Sequence, residues 1–199
     1  MKDNNNLGSV KLYKNEKLEK VDASNLPELT TLWTYSSGNV KTINTTNSPK
    51  LKEINAASNS SLTAVIGLDG NRNLEVFTVS NSKIENFDFS LQTKLRVINL
   101  TSSAAKEIKG LDKVGVSLVE LVIPASQITS IDISQNPNLT KLDVNQLKGM
   151  TSLDVSHNKK LKYLKTSFTP LTSLDLSNNT DLTELNVTHN KLSSLDIRH

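Results

Sequence analysis

Aspartates recur at a near-constant spacing in the second half of this chain, and carboxylates in register could hold a cation. Ca²⁺ takes roughly 6–8 oxygen ligands, so a stacked row of carboxylates is one candidate site. Alternatively, each aspartate bonds a nearby serine, threonine or backbone group in the recurring TSLD context. Calcium-binding solenoids pack Asp and Gly into dense turns, and 7 glycines in 199 residues favour the second interpretation. The aspartates are Asp132, Asp154, Asp175 and Asp196, and the serines that precede them are Ser130, Ser152, Ser173 and Ser194.

Histidine and serine could in principle supply catalysis or zinc binding. His157 and His189 occupy the same place in two different kinds of repeat unit, so they should lie on different edges of the molecule, and His199 is terminal. Structural zinc needs four convergent ligands, and a nucleophilic triad needs a histidine oriented by a carboxylate. The chain has no cysteine and no glycine-rich phosphate loop. We therefore expect no catalytic residues, no metal and no cofactor, and we predict a non-enzymatic protein.

Charge and hydropathy exclude further classes. The net charge is +3 with lysines spread throughout, which gives little reason to expect nucleic acid as a partner. No run of 18 apolar residues is present, so we expect no transmembrane segment. The opening residues MKDNNN lack an apolar signal core, so we expect any targeting signal or anchor to be absent from these 199 residues or already removed.

The elements that must position any site repeat along the whole chain. Apolar residues open eighteen half-units, mostly 10 or 11 residues apart, with steps of 12 after Leu62 and 13 after Leu95. Paired, the half-units predict about nine rungs of 21–23 residues. The opening residues are Leu7, Leu18, Leu29, Val40, Leu51, Leu62, Leu74, Ile84, Leu95, Ile108, Leu118, Ile128, Leu139, Met150, Leu161, Leu171, Leu182 and Leu192.

Each half-unit has apolar residues at positions 1, 4 and 6. The alternation at 4 and 6 predicts a short strand with both side chains on one side. Position 9 is often Asn, Ser or Thr, which favours bonding to the backbone where the chain turns. A single rung would have to order about 21 residues at roughly 1–2 kcal/mol each and could bury little alone. Stacking into a solenoid is therefore required.

The pattern LxxLxLxxNxL, fitted at every position by LTELNVTHNKL (182–192), resembles the leucine-rich repeat. The short period resembles bacterial cell-surface proteins of the internalin-like class. The resemblance implies a mostly β, right-handed solenoid with a parallel sheet on its concave face and little or no helix. Residues 1–6 would be a disordered or partial lead-in, and residues 7–199 a single solenoid. Position 6 of the first strand is often Cys in the nearest-looking repeats, but is Val, Thr, Ala or Leu here. The resemblance also implies an extracellular or bacterial cell-surface location.

The two half-units differ in ways that predict different roles. B half-units end in N-x-L, as at 182–191, and should form the concave sheet. A half-units carry one more residue before the next leucine, as at 171–181, and should form the convex strands. Position 5 of A is mostly Asp, which indicates a structural role, whereas position 5 of B changes from rung to rung. The A column is Asp22, Asn44, Ile66, Asp88, Asp112, Asp132, Asp154, Asp175 and Asp196.

Aromatic residues mark the candidate binding face. Trp33, Tyr13 and Tyr35 should form an exposed cluster, because exposed Trp and Tyr are typical interface anchors. The alternative is that they cover an open end of the solenoid. Tyr163 with Lys141, Lys165 and Phe168 forms a second cluster. Phe77, Phe87 and Phe89 are predicted core residues. The full candidate set is Tyr13, Trp33, Tyr35, Asn55, Thr78, Asn99, Lys141, Asp143, Tyr163, Lys165 and Asn186.

The functional prediction is a non-catalytic binding module, a secreted or surface-displayed adhesion or scaffold protein. Its expected partner is a protein, with a glycan as the alternative ligand. The competing hypothesis is a structural spacer domain of a larger surface protein, without its own ligand. Because terminal repeats normally need caps and none is evident here, end-to-end contacts between chains are also an expectation. The sequence leaves the oligomeric state open.

Overall fold

Nine short parallel strands, one from each B half-unit, form the main sheet of the computed structural model, which describes residues 4–198. Neighbouring strands pair in register along the order β1, β3, β5, β7, β9, β11, β12, β13, β14. The strands are β1 (Ser9–Lys11), β3 (Thr31–Trp33), β5 (Glu53–Asn55), β7 (Val76–Thr78), β9 (Val97–Asn99), β11 (Glu120–Val122), β12 (Lys141–Asp143), β13 (Tyr163–Lys165) and β14 (Glu184–Asn186). The predicted lead-in at 1–6 lies partly outside the described residues.

The coil makes about eight turns of about 22 residues between the first and last of these strands. This repeat length confirms the predicted period of 21–23 residues. The nine predicted rungs correspond to the nine strands, which enclose eight complete turns. In the turn that contains β5, Leu51, Ile54 and Ala56 are all fully buried, as positions 1, 4 and 6 require. Burying a leucine or isoleucine contributes roughly 1.5–3 kcal/mol, and each turn depends on its neighbours to bury these side chains.

Strands on the opposite, A side are fewer than predicted. β2 (Lys20–Asp22), β4 (Thr42–Asn44) and β6 (Ala64–Ile66) form one sheet, and β8 (Asn86–Asp88) pairs with β10 (Glu107–Lys109) in another. From residue 110 to residue 198, the described chain has no A-side strand, so the prediction of strands in every A half-unit was wrong. Side-chain hydrogen bonds link the turns there.

Two short helical insertions interrupt the A side, and each follows a glycine in the left-handed region. A 3₁₀ turn (Leu68–Gly70) follows Gly67 at φ 84°, and helix α1 (Leu111–Val114) follows Gly110 at φ 82°, leading into a second 3₁₀ turn (Gly115–Ser117). A Cβ on Gly67 would lie 2.4 Å from Thr46 N. Only glycine meets both the positive φ and this close approach.

Near the second insertion, the predicted start of the A half-unit at Ile108 was wrong. Ile108 pairs with Phe87, which is a position-4 residue, so this half-unit opens at the fully buried Ala105 and not at Ile108. The predicted Asp112 therefore lies in α1, outside the aspartate column, and Lys109 stands opposite Asp88 instead. The misassignment arose because the extra residues follow the strand rather than precede it.

Position 8 of every B half-unit has a positive φ, between 51° and 59°. In eight of them, the N–H at this position donates to a position-7 carbonyl of the next turn, as Ser58 does to Ser80 O at 3.0 Å. The left-handed residue thus turns the chain without interrupting the hydrogen bonds between turns. These residues are Lys14, Ser36, Ser58, Asn81, Ser102, Ala125, Gln146, Phe168 and His189.

Buried asparagines at position 9 bond backbone carbonyls, as predicted, and these carbonyls belong to the preceding turn. Asn158 Nδ2 donates to Ile133 O at 3.0 Å and to Asn136 O at 2.9 Å, and Asn179 repeats this one turn later with Val155 O and Asn158 O. Both side chains are almost completely buried. Because the amide of each turn bonds carbonyls of the preceding turn, this ladder replaces the missing A-side strands.

Candidate binding surface

The solvent-facing side chains of the main sheet form two columns. We use the name sheet face for these two columns and the position-7 residues that follow each strand. The middle residue of each strand points into the core, so its two neighbours point outward. The predicted residues lie on this face. One column runs Lys11, Trp33, Asn55, Thr78, Asn99, Val122, Asp143, Lys165 and Asn186; the other runs Ser9, Thr31, Glu53, Val76, Val97, Glu120, Lys141, Tyr163 and Glu184. Tyr13 and Tyr35 lie at position 7.

Three aromatic rings form a contiguous cluster at the N-terminal end of the sheet face. Tyr13 and Tyr35 stack with ring centroids 4.8 Å apart and planes 3° apart, and Trp33 lies 6.3 Å from Tyr35. Lys11 Nζ sits 4.3 Å from the Trp33 ring centroid, while Trp33 Nε1 donates to Glu53 Oε1 at 2.8 Å. The tryptophan is therefore held in one orientation, and Tyr13 remains 44% exposed. Such rigid amphipathic rings suit an interface.

Between Glu53 and Glu120, strands β7 and β9 present only uncharged side chains on the sheet face, and the asparagines of this region make structural hydrogen bonds. Asn55 Oδ1 accepts the Ala57 N–H at 3.2 Å, and Asn99 Oδ1 accepts both Thr101 N–H at 3.1 Å and Thr101 Oγ–H at 2.7 Å. Thr78 lies between them in register. These asparagines cap their own turns through Oδ1 and do not use their amide nitrogens for these bonds.

Tyr163 lies between two lysines at the C-terminal end of the face. Lys165 Nζ is 4.6 Å and Lys141 Nζ 5.7 Å from the Tyr163 ring centroid. Lys165 also approaches Glu184 at 3.6 Å, and the Tyr163 side chain is the main cause that raises the pKa of Lys165. Burial raises the pKa of Asp143, against the opposing effect of the Asn145 N–H and both lysines. The sheet face therefore has a half-buried carboxylate between two cations.

Asn186 is already engaged by its neighbours. Its Oδ1 accepts from Ser167 Oγ at 2.6 Å and from the Thr188 N–H at 3.2 Å. Thr188 Oγ1 in turn donates to Ser167 Oγ at 2.9 Å. This predicted site residue thus belongs to a hydrogen-bonded group that joins the last two turns.

The sequence prediction grouped Phe168 with Tyr163, Lys141 and Lys165, but it missed the ring that Phe168 stacks on, which is His189. Phe168 and His189 stack with centroids 4.2 Å apart and planes 13° apart, and Phe168 is 53% exposed. Both occupy the left-handed position 8, which costs an L-residue roughly 1–2 kcal/mol. Serine and asparagine are common at this position, so a phenylalanine there was the available signal. Because all nine B half-units adopt this conformation at position 8, the positive φ belongs to the fold, and only the exposed stacked rings make this pair a candidate part of the binding surface.

The aspartate column forms local turns. Ser134 N–H and Ser134 Oγ–H donate to Asp132 Oδ1 at 3.0 and 2.7 Å, and the Ser156 N–H donates to Asp154 in the same way. These bonds lower the pKa of both carboxyls, with the serine side chain as the largest cause. The prediction of serine and backbone partners is confirmed, but the serines follow the aspartates and are not the preceding ones named from the sequence. Among residues 4–198, no three His, Cys, Asp or Glu side chains converge as metal ligands.

No protein-family model matches the sequence, and neither does any curated protein. The chain superposes on solved structures. The functional domain of InlJ from Listeria monocytogenes matches with a TM-score of 0.58 and 18% identity, over 97% of this chain and 51% of that chain. The internalin InlF from the same species matches with a TM-score of 0.59 and 19% identity, over 85% and 63%. The fold is the leucine-rich-repeat solenoid.

The chain spans about half of the length of the InlJ domain and less than two thirds of the length of InlF. The InlJ domain is described as including a cysteine ladder, whereas this leucine-rich-repeat chain has no cysteine. Position 6 of its B half-units is instead occupied by buried residues such as Ala56, Val144 and Thr166. No helix among residues 4–198 has the length and apolarity needed to cross a bilayer.

Proposed function

We propose that this leucine-rich-repeat solenoid is a non-catalytic binding module that presents its sheet face to a protein partner. The observation that carries the proposal is the Tyr13, Trp33 and Tyr35 cluster, in which one ring is held by a hydrogen bond and another is nearly half exposed. Ordered aromatic side chains lose little conformational entropy on binding, which is why they dominate interface energetics.

The chemistry of the face favours a partner that extends along the solenoid. From Trp33 to Lys165 the face runs over six strand-to-strand steps, which is about 29 Å at about 4.8 Å per step. The first end is aromatic, strands β7 and β9 in the middle present no charged side chain, and the far end pairs Tyr163 with two lysines and Asp143. A protein surface with an apolar patch at one end and mixed charges at the other would match this order, so we infer protein rather than glycan as the main ligand.

The proposed setting is extracellular or the bacterial cell surface. The support is the fold shared with two internalins of Listeria monocytogenes. A solenoid that exposes a long face on one side suits display to partners from outside the cell. The competing proposal, a spacer without its own ligand, predicts that the aromatic cluster binds nothing.

The test is a binding screen of the purified chain against immobilised extracellular proteins and glycans, followed by biosensor measurement on each hit. The double substitution Trp33→Ala and Tyr35→Ala should weaken binding by at least about tenfold, because truncating an interface anchor costs about 2 kcal/mol or more. Val116→Ala is the control, since Val116 is 65% exposed but lies in the insertion on the A side. Equal affinities of the unmodified chain, the double variant and Val116→Ala would refute the assignment of the aromatic cluster as the binding site. The absence of any binding partner in the screen would favour the spacer hypothesis.

A further inference from the structure

The A side contains a cleft where its two sheets fail to meet. β6 is an edge strand of one sheet and β8 an edge strand of the other, although they belong to consecutive turns. The 3₁₀ turn Leu68–Gly70 follows β6 at this break. A cavity of about 410 Å³ lies between the two strands, within the size range of ligand sites.

The floor of the cleft is aromatic. Phe77, whose strand belongs to the main sheet, reaches across the core to line the cavity together with Phe87. Phe77 lies edge-on to Phe87 at 6.0 Å and to Phe89 at 5.2 Å. The wall carries Leu91, which is 42% exposed. An apolar side chain that entered here would therefore meet an apolar surface that is already ordered.

The rims of the cleft are strand edges with unused pairing capacity. The Lys83 N–H donates to Leu62 O at 2.8 Å before the strands begin, and Gln92 Nε2 donates to Leu68 O at 2.8 Å after they end. Between these two links, β6 pairs with β4 and β8 pairs with β10, each on its far side. Unpaired strand edges accept an added strand, because its backbone satisfies their donors and acceptors.

The mouth of the cleft is acidic. Asp69, from the 3₁₀ turn, and Asp88, at the end of β8, both line it. Asp88 is held in place by the Ser90 N–H at 2.9 Å. Lys109 stands opposite Asp88 in the next strand, whereas Asp69 lies on an exposed turn. Asp69 is therefore the aspartate that is available to attract a basic group.

We propose that this cleft binds an extended peptide segment with a large apolar side chain followed by a basic residue. The apolar side chain enters the cavity over the phenylalanines, the basic side chain pairs with Asp69, and the peptide backbone pairs with the edge of β6 or β8. This site is on the opposite side of the coil from the sheet face and would act independently of it.

The chain offers a matched control for the test. Both insertions contain Gly-Leu-Asp after a strand, with Asp69 in one and Asp112 in the other. The substitutions Asp69→Lys and Asp112→Lys therefore make the same charge change in two similar turns, only one of which borders the cleft. Both aspartates are exposed, so both variants should fold, and circular dichroism and thermal melts confirm this first.

The probe is acetyl-Val-Phe-Arg-Val-amide, titrated into ¹⁵N- and ¹³C-methyl-labelled protein and followed by NMR. We expect saturable shifts of Val65, Phe87 and Leu91, loss of the shifts when the probe phenylalanine is replaced by alanine, and weaker binding when its arginine is replaced by glutamate. Asp69→Lys should weaken binding by about two- to fivefold, the range of an exposed ion pair, and Asp112→Lys should leave it unchanged.

Three results would overturn the proposal. These are no saturable shift at the cleft residues, equal binding of the arginine and glutamate probes, or equal weakening by the two lysine substitutions. A probe methylated on its backbone nitrogens tests the strand pairing separately. It should bind more weakly than the parent peptide, and undiminished binding would also count against the proposed mode.

Discussion

Replacing Asn179 with alanine tests whether the asparagine ladder holds the A side together. Asn179 Nδ2 donates to Val155 O and to Asn158 O, both at 3.0 Å, from a side chain that is 1% exposed. Two buried hydrogen bonds at about 0.5–1.5 kcal/mol each give about 1–3 kcal/mol. The substitution also removes an Oδ1 that has no hydrogen-bond partner in the structure, which offsets part of the loss.

The acceptors keep other partners, which limits the cost further. Val155 O also accepts the Asn158 N–H at 3.0 Å, and Asn158 O accepts the Leu161 N–H at 3.0 Å. Neither carbonyl is left unpaired, so the full penalty of a buried orphan group does not apply. We therefore expect Asn179→Ala to lower the free energy of unfolding by about 1–2 kcal/mol, or the melting temperature by about 2–8 °C for a chain of this size.

Urea denaturation followed by circular dichroism measures this change, with Asn178→Ala as the control. Asn178 is the same residue type, adjacent in sequence and exposed, so its substitution should change stability by less than about 0.5 kcal/mol. If the two variants unfolded at the same urea concentration, the ladder would contribute nothing, and another interaction would have to hold the strandless turns together.

Three further predictions concern the turns. Ala125→Gly should raise the melting temperature, because Ala125 has a φ of 54° that glycine adopts without strain; Ala57→Gly, at a position without positive φ, should lower it. Gly67→Ala should destabilise by about 2 kcal/mol or more, since it combines a left-handed cost with a backbone clash, and a urea titration that matched the unmodified chain would contradict this. Asp132→Ala should destabilise the protein at neutral pH, and the difference should shrink as pH falls through and below the ordinary value of 3.8, because the Ser134 bonds lower the pKa of the folded carboxyl. Melting curves of both proteins between pH 7 and pH 2.5 test this, and a difference that grew on acidification would reverse the sign of the argument.

Much of the fold could be predicted because every turn repeats the same requirement. Leu51, Ile54 and Ala56 are buried for the same reason as their counterparts 22 residues away, so the period and the B-side sheet follow from spacing alone. The Tyr13–Tyr35 stack could be foreseen in the same way, because residues at one position of successive turns lie about one strand spacing apart.

Errors arose where a residue's role depends on its neighbours in space. Asp112 looked like a member of the aspartate column because the sequence does not show on which side of a strand extra residues lie. Phe168 and His189 were not paired, because they belong to consecutive turns and their stacking depends on the left-handed conformation that both adopt at position 8. The cleft between β6 and β8 was also unforeseen, because each strand by itself has an ordinary sequence.

By itself, the sequence determined the repeat length, the inward-facing residues and the face left free to vary, because a period of alternating apolar residues is a property of the chain. The tertiary structure decided which A half-units pair as strands, where the sheet breaks and which aspartates, asparagines and aromatics meet. These depend on the hydrogen bonds and packing between turns, and a backbone group can find its partner about 22 residues away only after the coil has closed.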